Sequence, residues 1–93
     1  MLRFFIGANN ETGEVEIDKV RELFDIEFAG YTITEAQGRW TGKNEKSIIV
    51  DVQPMGWIVT RDMTRVEHLV EVLKEELKQE SIGLQILPDI TFY

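Results

Sequence analysis

The chain contains no cysteine, two prolines and one histidine among its 93 residues. Without cysteine there is no disulfide, thiolate metal site or thiol nucleophile, and any metal would depend on carboxylates and His68. No stretch approaches the ~18 consecutive apolar residues that a membrane-spanning helix requires. The apolar start is too short for an export signal. These absences predict a soluble, cytoplasmic protein that does not bind a membrane.

Positive charge is also scarce, since ten Lys and Arg stand against seventeen Asp and Glu and the net charge is −7. Nucleic-acid binding depends on basic side chains that neutralise phosphates, so we expect no general nucleic-acid binding. The acids concentrate in residues 11–27 and 67–80, which is typical of helices with solvated faces. The basic residues of the central region are Arg39, Lys43, Lys46, Arg61 and Arg65.

The apolar residues that are present predict one domain over residues 1–93. Their periodicity indicates strands at 2–7, 31–40, 47–53 and 81–87, with amphipathic helices over about 16–27 and from 64 onward. The order β-α-β-β-α-β predicts an α+β, ferredoxin-like sandwich. In that fold a four-stranded antiparallel sheet with strand order 4-1-3-2 carries both helices on one face.

Several local features of this fold are less regular. Gly38 within the second strand predicts a bulge that would change the face to which Trp40 points. The polar turn over 41–46 predicts a hairpin longer than two residues. The apolar segment 54–63 fits either an extra strand or a contact with a neighbouring subunit. The last strand is expected to bury Ile82, Leu84 and Ile86.

The sheet face without helices is expected to be partly apolar. It would carry Phe5 and Ile49 beside Arg3, Asp51 and several small polar residues. An exposed patch of this kind usually marks a partner surface. The sequence therefore predicts a homo-oligomer that associates through this face or through an edge strand.

One candidate ligand site lies where the first loop meets the central hairpin. The start of the first helix, together with Arg39 and Lys43, would hold a phosphate or carboxylate. The polar residues expected beside them are Asn9, Asn10, Thr12 and Asn44. The alternative is a set of polar turn residues without a ligand, because Glu11 and Glu14 in the same loop would repel an anion.

A second candidate site combines Trp57 with Arg61 and Arg65 near the start of the second helix, and His68 one turn further on. A base stacked on the tryptophan while arginines meet a phosphate is a common recognition arrangement. The alternative is a tryptophan in the core or in an interface. The predicted ligand-binding residues of both sites together are Arg39, Trp40, Lys43, Trp57, Arg61 and Arg65.

Catalytic groups are few, and no catalytic residue is assigned with certainty from the sequence. Asp51 and Glu35 on adjacent strands form a possible carboxylate pair for a divalent metal, which defines an alternative function as a metal-dependent phosphodiesterase or nuclease. His68 lies beside the apolar stripe of its helix, so a boundary or solvent position is expected. We expect no cofactor and no resident metal.

Three sequence stretches, FFIGANNETG, YTITEAQGRWTGKNEKSIIVDV and LKQESIGLQI, cover most of the chain. They resemble a group of small uncharacterised ferredoxin-like proteins of tailed bacteriophages and related bacterial elements. The features shared are the glycine after the first strand, Gly38 with Trp40, Glu45 with Ser47, and the run 79–81. The resemblance implies a phage-type domain and supplies no reaction or catalytic residue.

Together these features predict a small, non-enzymatic binding or accessory protein. It would be oligomeric and directed at the host, and it would either hold a host protein or sequester a small anionic ligand such as a nucleotide signal.

Overall fold

The structure, a computed structural model, describes residues 1–53 and 63–88 of the chain. The elements in chain order are β1 (Leu2–Gly7), α1 (Ile17–Glu27), β2 (Thr32–Trp40), β3 (Lys43–Val52), α2 (Met63–Glu76) and β4 (Gly83–Ile86). The strands form one antiparallel sheet in the order β2-β3-β1-β4. The predicted α+β fold of ferredoxin-like type, including its strand order, is confirmed.

The core lies between the helices and one face of the sheet, because alternate residues of a strand point to opposite faces. Phe4 of β1 and Phe24 of α1 are fully buried, and their rings meet edge to face with centroids 5.0 Å apart. The other buried apolar residues are Leu2, Ile6, Val20, Phe28, Ile48, Val50, Val52, Val66, Leu69, Leu73 and Leu77. The helices therefore contribute one stripe each, as the sequence pattern indicates.

The hairpin between β2 and β3 differs from the prediction. Pairing runs without interruption from Thr32 opposite Asp51 to Trp40 opposite Lys43, so Gly38 forms no bulge. The turn has only two residues between the strands, Thr41 and Gly42, with φ values of 49° and 80°. Two successive positive φ values are what a tight type I′ hairpin requires. The predictions of a bulge and of a longer turn were both wrong.

The last strand is shorter than predicted, since β4 contains only Gly83–Ile86. Ile82 and Leu84 pack against the core as expected. Ile86 is 70% exposed, so its predicted burial was wrong. Most of the apolar segment 54–63 and the last five residues lie outside the described residues. Within the described part of the chain, no helix is long and apolar enough to cross a membrane.

Candidate functional site

Three chain segments meet at one end of the sheet and form a cleft of about 400 Å³, here called the loop-end cleft. The segments are the loop after β1, the start of β3 and the end of the α2 region, as the predicted topology required. The cleft falls within the range of ~300–1,000 Å³ that small-molecule sites occupy. Its lining residues are Gly7, Ala8, Asn9, Asn10, Gly13, Asn44, Glu45, Lys46 and Gln79.

Asn9 fixes the shape of the loop after β1. Asn9 is polar but buried, since the residue is only 7% exposed. Asn9 Oδ1 accepts hydrogen bonds from the amides of Glu11 (2.7 Å) and Thr12 (3.3 Å), while Nδ2 donates to Glu16 (3.2 Å). An asparagine that caps its own following amides in this way stabilises a tight turn. The cleft wall is therefore preformed.

Between residues 9 and 14, this loop offers no free backbone donors to an anion. Each amide of residues 9–14 already donates within the chain, for example Asn9 N to Glu14 O at 2.9 Å and Gly13 N to Asn9 O at 2.8 Å. Helix α1 begins only at Ile17, beyond the cleft lining. The predicted combination of free helix amides with Arg39 and Lys43 is therefore not assembled. A ligand in the cleft would meet mainly side chains.

Gln79 ties the loop to the end of the α2 region. Its Nε2 donates to the carbonyl oxygen of Ala8, and the amide of Asn10 donates to the carbonyl of Lys78 at 3.4 Å. A Cβ atom added at Gly7 would lie 3.1 Å from Gln79 Oε1. Such a distance is tight, so the glycine permits the close approach of Gln79. Sequence analysis missed Gln79 as a site residue, although it names the run 79–81 among the features of the family resemblance.

The charges around the cleft are largely balanced. Lys46 Nζ lies 2.9 Å from Glu14 Oε2, and both side chains are about two-thirds exposed. Arg39 Nη1 donates to Asn44 Oδ1 at 3.0 Å. Glu45 also belongs to the lining, but strand alternation places its side chain on the sheet face opposite those of Asn44 and Lys46. The cleft thus combines side-chain amides with one compensated ion pair, which favours a neutral or zwitterionic ligand over a phosphate.

The six predicted ligand residues were assigned to two separate sites, and four of them lie among the described residues. Arg39, Trp40 and Lys43 all lie at the hairpin. Arg65 lies on α2, where its Nη2 is 3.0 Å from Glu27 Oε2. Trp57 and Arg61 are outside the described residues. His68 is exposed on α2, in agreement with the solvent position predicted for it.

The predicted carboxylate pair is not formed, and this prediction was wrong. Glu35 of β2 lies opposite the buried Ile48 of β3. Asp51 lies three residues further along β3, opposite Thr32 of β2 and Arg3 of β1. Because side chains alternate along a strand, the two acids point to opposite faces of the sheet. Asp51 is instead ion-paired, with its Oδ1 2.8 Å from Arg3 Nε. This hydrogen bond raises the pKa of Arg3.

Among the described residues, no cluster of three or more His, Asp and Glu is placed to hold a metal.

Glu35 lies in a second cleft of about 420 Å³, between the edge strand β2 and the residues preceding α1. This cleft is lined by Val15, Ile17 and Ile48 in addition to Glu14, Lys46 and polar groups of β2 and β3. Lys46 lines both clefts. The Glu14–Lys46 ion pair therefore lies between them. We regard the loop-end cleft as the candidate site because three chain segments with buried hydrogen bonds define it.

No protein-family model and no curated protein matches the sequence. Among solved structures, the chain is similar to a phage SAM lyase in its apo state, with a TM-score of 0.59 and 24% sequence identity. The match covers 89% of this chain and 74% of that chain. At this level of identity the similarity establishes a shared fold, and the fold in question occurs in a phage protein of comparable size.

Proposed function

We propose that this protein is a small phage-encoded accessory protein that acts in the host cytoplasm on S-adenosylmethionine (SAM), binding it in the loop-end cleft and cleaving it. The observation that carries the proposal is the fold shared with a phage SAM lyase along 89% of the chain. Fold alone does not define function. The proposal therefore also depends on whether the cleft chemistry suits this ligand.

The lining of the cleft supports a nucleoside ligand without phosphates. SAM contains an adenosyl group and a sulfonium cation and carries no phosphate. The side-chain amide of Asn10 offers a paired donor and acceptor, which is the pattern that binds an adenine edge, and the NH2 group of Asn44 is a second donor in the lining. Glu14, which is ion-paired with Lys46 of the cleft lining, offers a negative charge to the sulfonium. The amides of residues 9–14 are occupied and do not bind the phosphates of a nucleotide. A ligand without phosphates does not need them.

Cleavage of the sulfonium can be balanced within the ligand: its own carboxylate oxygen forms a bond to the γ-carbon as the bond from that carbon to sulfur breaks, which leaves a lactone and a neutral thioether. What the protein must supply is a fixed ligand geometry that brings the reacting atoms together. The loop-end cleft meets this need through the hydrogen bonds of Asn9 and Gln79, which hold its wall. We therefore expect the protein to accelerate the reaction mainly by holding the ligand in a reactive conformation.

The direct test is to incubate the purified protein with SAM and to follow SAM and its products by liquid chromatography and mass spectrometry. We expect a loss of SAM that is proportional to protein concentration. Glu14→Gln is expected to weaken SAM binding about tenfold, which corresponds to ~1.4 kcal/mol. Glu75→Gln, which removes an exposed charge from α2, serves as the matched control and should behave like the wild type.

Two other outcomes would redirect the proposal. Saturable binding of SAM without product would support the predicted sequestering role instead of a lyase activity. Absence of both binding and turnover would overturn the proposal and leave a host-protein partner as the remaining prediction. The acidic surface of α1 and α2 favours that last candidate, since both helices carry more acids than bases. Charge reversals on the helices would then abolish binding of the host protein, whereas changes in the cleft would not.

A further inference from the structure

The face of the sheet opposite the helices is open among the described residues. Its side chains come from alternate positions of each strand, beginning with Arg3, Asp51 and Thr32 in one cross-strand row. The next row contains Phe5, Ile49 and Thr34. We propose that this open face is the surface on which a second copy of the chain docks, so that the protein is a homo-oligomer.

The apolar part of the open face is built from Phe5 and its neighbours. Phe5 is 42% exposed although it lies on a central strand. Its ring covers Gly83 of β4, where an added Cβ atom would lie 3.1 Å from Phe5 Cδ2. The ring therefore lies along the sheet over the glycine, and it forms a flat apolar area together with the half-buried Ile49. A flat apolar surface is suited to packing against an equivalent sheet face.

The charges of this face favour a second copy as the occupant. By strand alternation the described open face carries Arg3 and Lys43 against Asp51 and Glu45, so it is electrically neutral within a protein of net charge −7. Both helices on the opposite side are net acidic. Two copies approaching through their helix layers would repel each other, whereas two open faces would not.

The ion pair of Arg3 and Asp51 also makes the face self-complementary. Its side chains are 34% and 22% exposed, so both remain accessible to a facing molecule. In an interface between equivalent patches, the arginine of one copy can approach the aspartate of the other. The apolar row of Phe5 and Ile49 lies directly beside this pair. A buried apolar centre flanked by matched charges is the usual composition of such an interface.

The test is the mass in solution, measured by light scattering and by sedimentation at high micromolar concentration without ligand. We expect the wild type to have a multiple of the 10.8 kDa chain mass. Ile49→Lys should reduce this mass to that of one chain. Ile26→Lys makes the same chemical change at a 66% exposed position on α1 and should leave the mass unchanged.

A charge swap distinguishes the loss of the interface from a folding defect. Arg3→Asp alone places two negative charges side by side and should dissociate the oligomer. The double variant Arg3→Asp with Asp51→Arg restores a neutral face and an internal ion pair, and it should associate again. Circular dichroism checks that each variant is folded.

A wild-type protein with the mass of one chain would overturn the inference. An Ile49→Lys variant that is folded and keeps the oligomer mass would overturn it as well. Neither result depends on SAM, so failure of the proposed ligand and failure of the interface are observed separately.

Discussion

At the scale of single residues, the hydrogen bonds of a few polar side chains decide the local structure. Asn9 and Gln79 hold the wall of the loop-end cleft through contacts that link distant parts of the chain. Tyr31 has a comparable role near the end of α1, where its hydroxyl donates to Asp25 Oδ1 at 2.6 Å. Its ring packs against Phe24 with centroids 5.5 Å apart. The phenol is therefore held by the core on one side and by a carboxylate on the other.

Tyr31 provides a pH-dependent test of this local structure. Burial, with the hydrogen bond to Asp25 as a second cause, raises the pKa of Tyr31 to about 12. A raised pKa means that the folded state holds the proton more tightly, so the stabilisation is complete below the ordinary value of about 10 and is lost as the pH rises toward about 12. Ultraviolet absorbance of tyrosinate against pH should show this high titration in the wild type.

Tyr31→Phe supplies the control for that titration, because only Tyr93 then remains of the two tyrosines. The difference between the two curves belongs to Tyr31. A difference curve centred near 10 would contradict the expected burial and hydrogen bond.

At the scale of secondary structure elements, the β2–β3 hairpin sets the register that separates the two faces of the sheet. Its two-residue turn requires positive φ at Thr41 and Gly42. Glycine adopts this conformation freely, whereas a β-branched threonine does so only with strain. The turn is held in place by the pairing of the long strands around it and not by its own sequence preference. This explains why the sequence did not predict the tight turn.

Replacing Thr41 with asparagine should therefore stabilise the protein. Asn-Gly is the preferred pair for a type I′ turn, and we expect a gain of about 0.5–1 kcal/mol in the free energy of unfolding, measured by urea denaturation. Thr34→Asn introduces the same residue in the middle of β2, where asparagine is unfavourable, and should give no gain. A loss of stability for Thr41→Asn would argue against the two-residue turn.

At the scale of the whole molecule, acidic helices and a neutral sheet face give the protein two chemically different sides. If the sheet face binds a second copy, folding and association are linked, and the stability depends on protein concentration. We expect the thermal unfolding midpoint of the wild type to rise as protein concentration increases, measured by calorimetry. The midpoint of Ile49→Lys should stay constant. A wild-type midpoint that does not change with concentration would speak against linked association.

The sequence by itself determined the order of elements, the strand order and most of the core, because these follow from periodic apolar residues and from the few topologies that bury them. Phe4, Phe24 and Val50 are buried where the pattern placed them. The sequence analysis also predicted that the first loop meets the central hairpin, and residues of both segments line the loop-end cleft.

Only the tertiary structure decided which polar groups work together. Glu35 and Asp51 are neighbours in the predicted topology, yet one uninterrupted register places them on opposite faces. Gln79 has no distinctive motif, and its importance arises because Gly7 lets it reach the carbonyl of Ala8. Such contacts join residues far apart in the chain, and their geometry depends on how strands, helix ends and loops pack. Local preferences therefore define the elements, whereas packing defines the cleft.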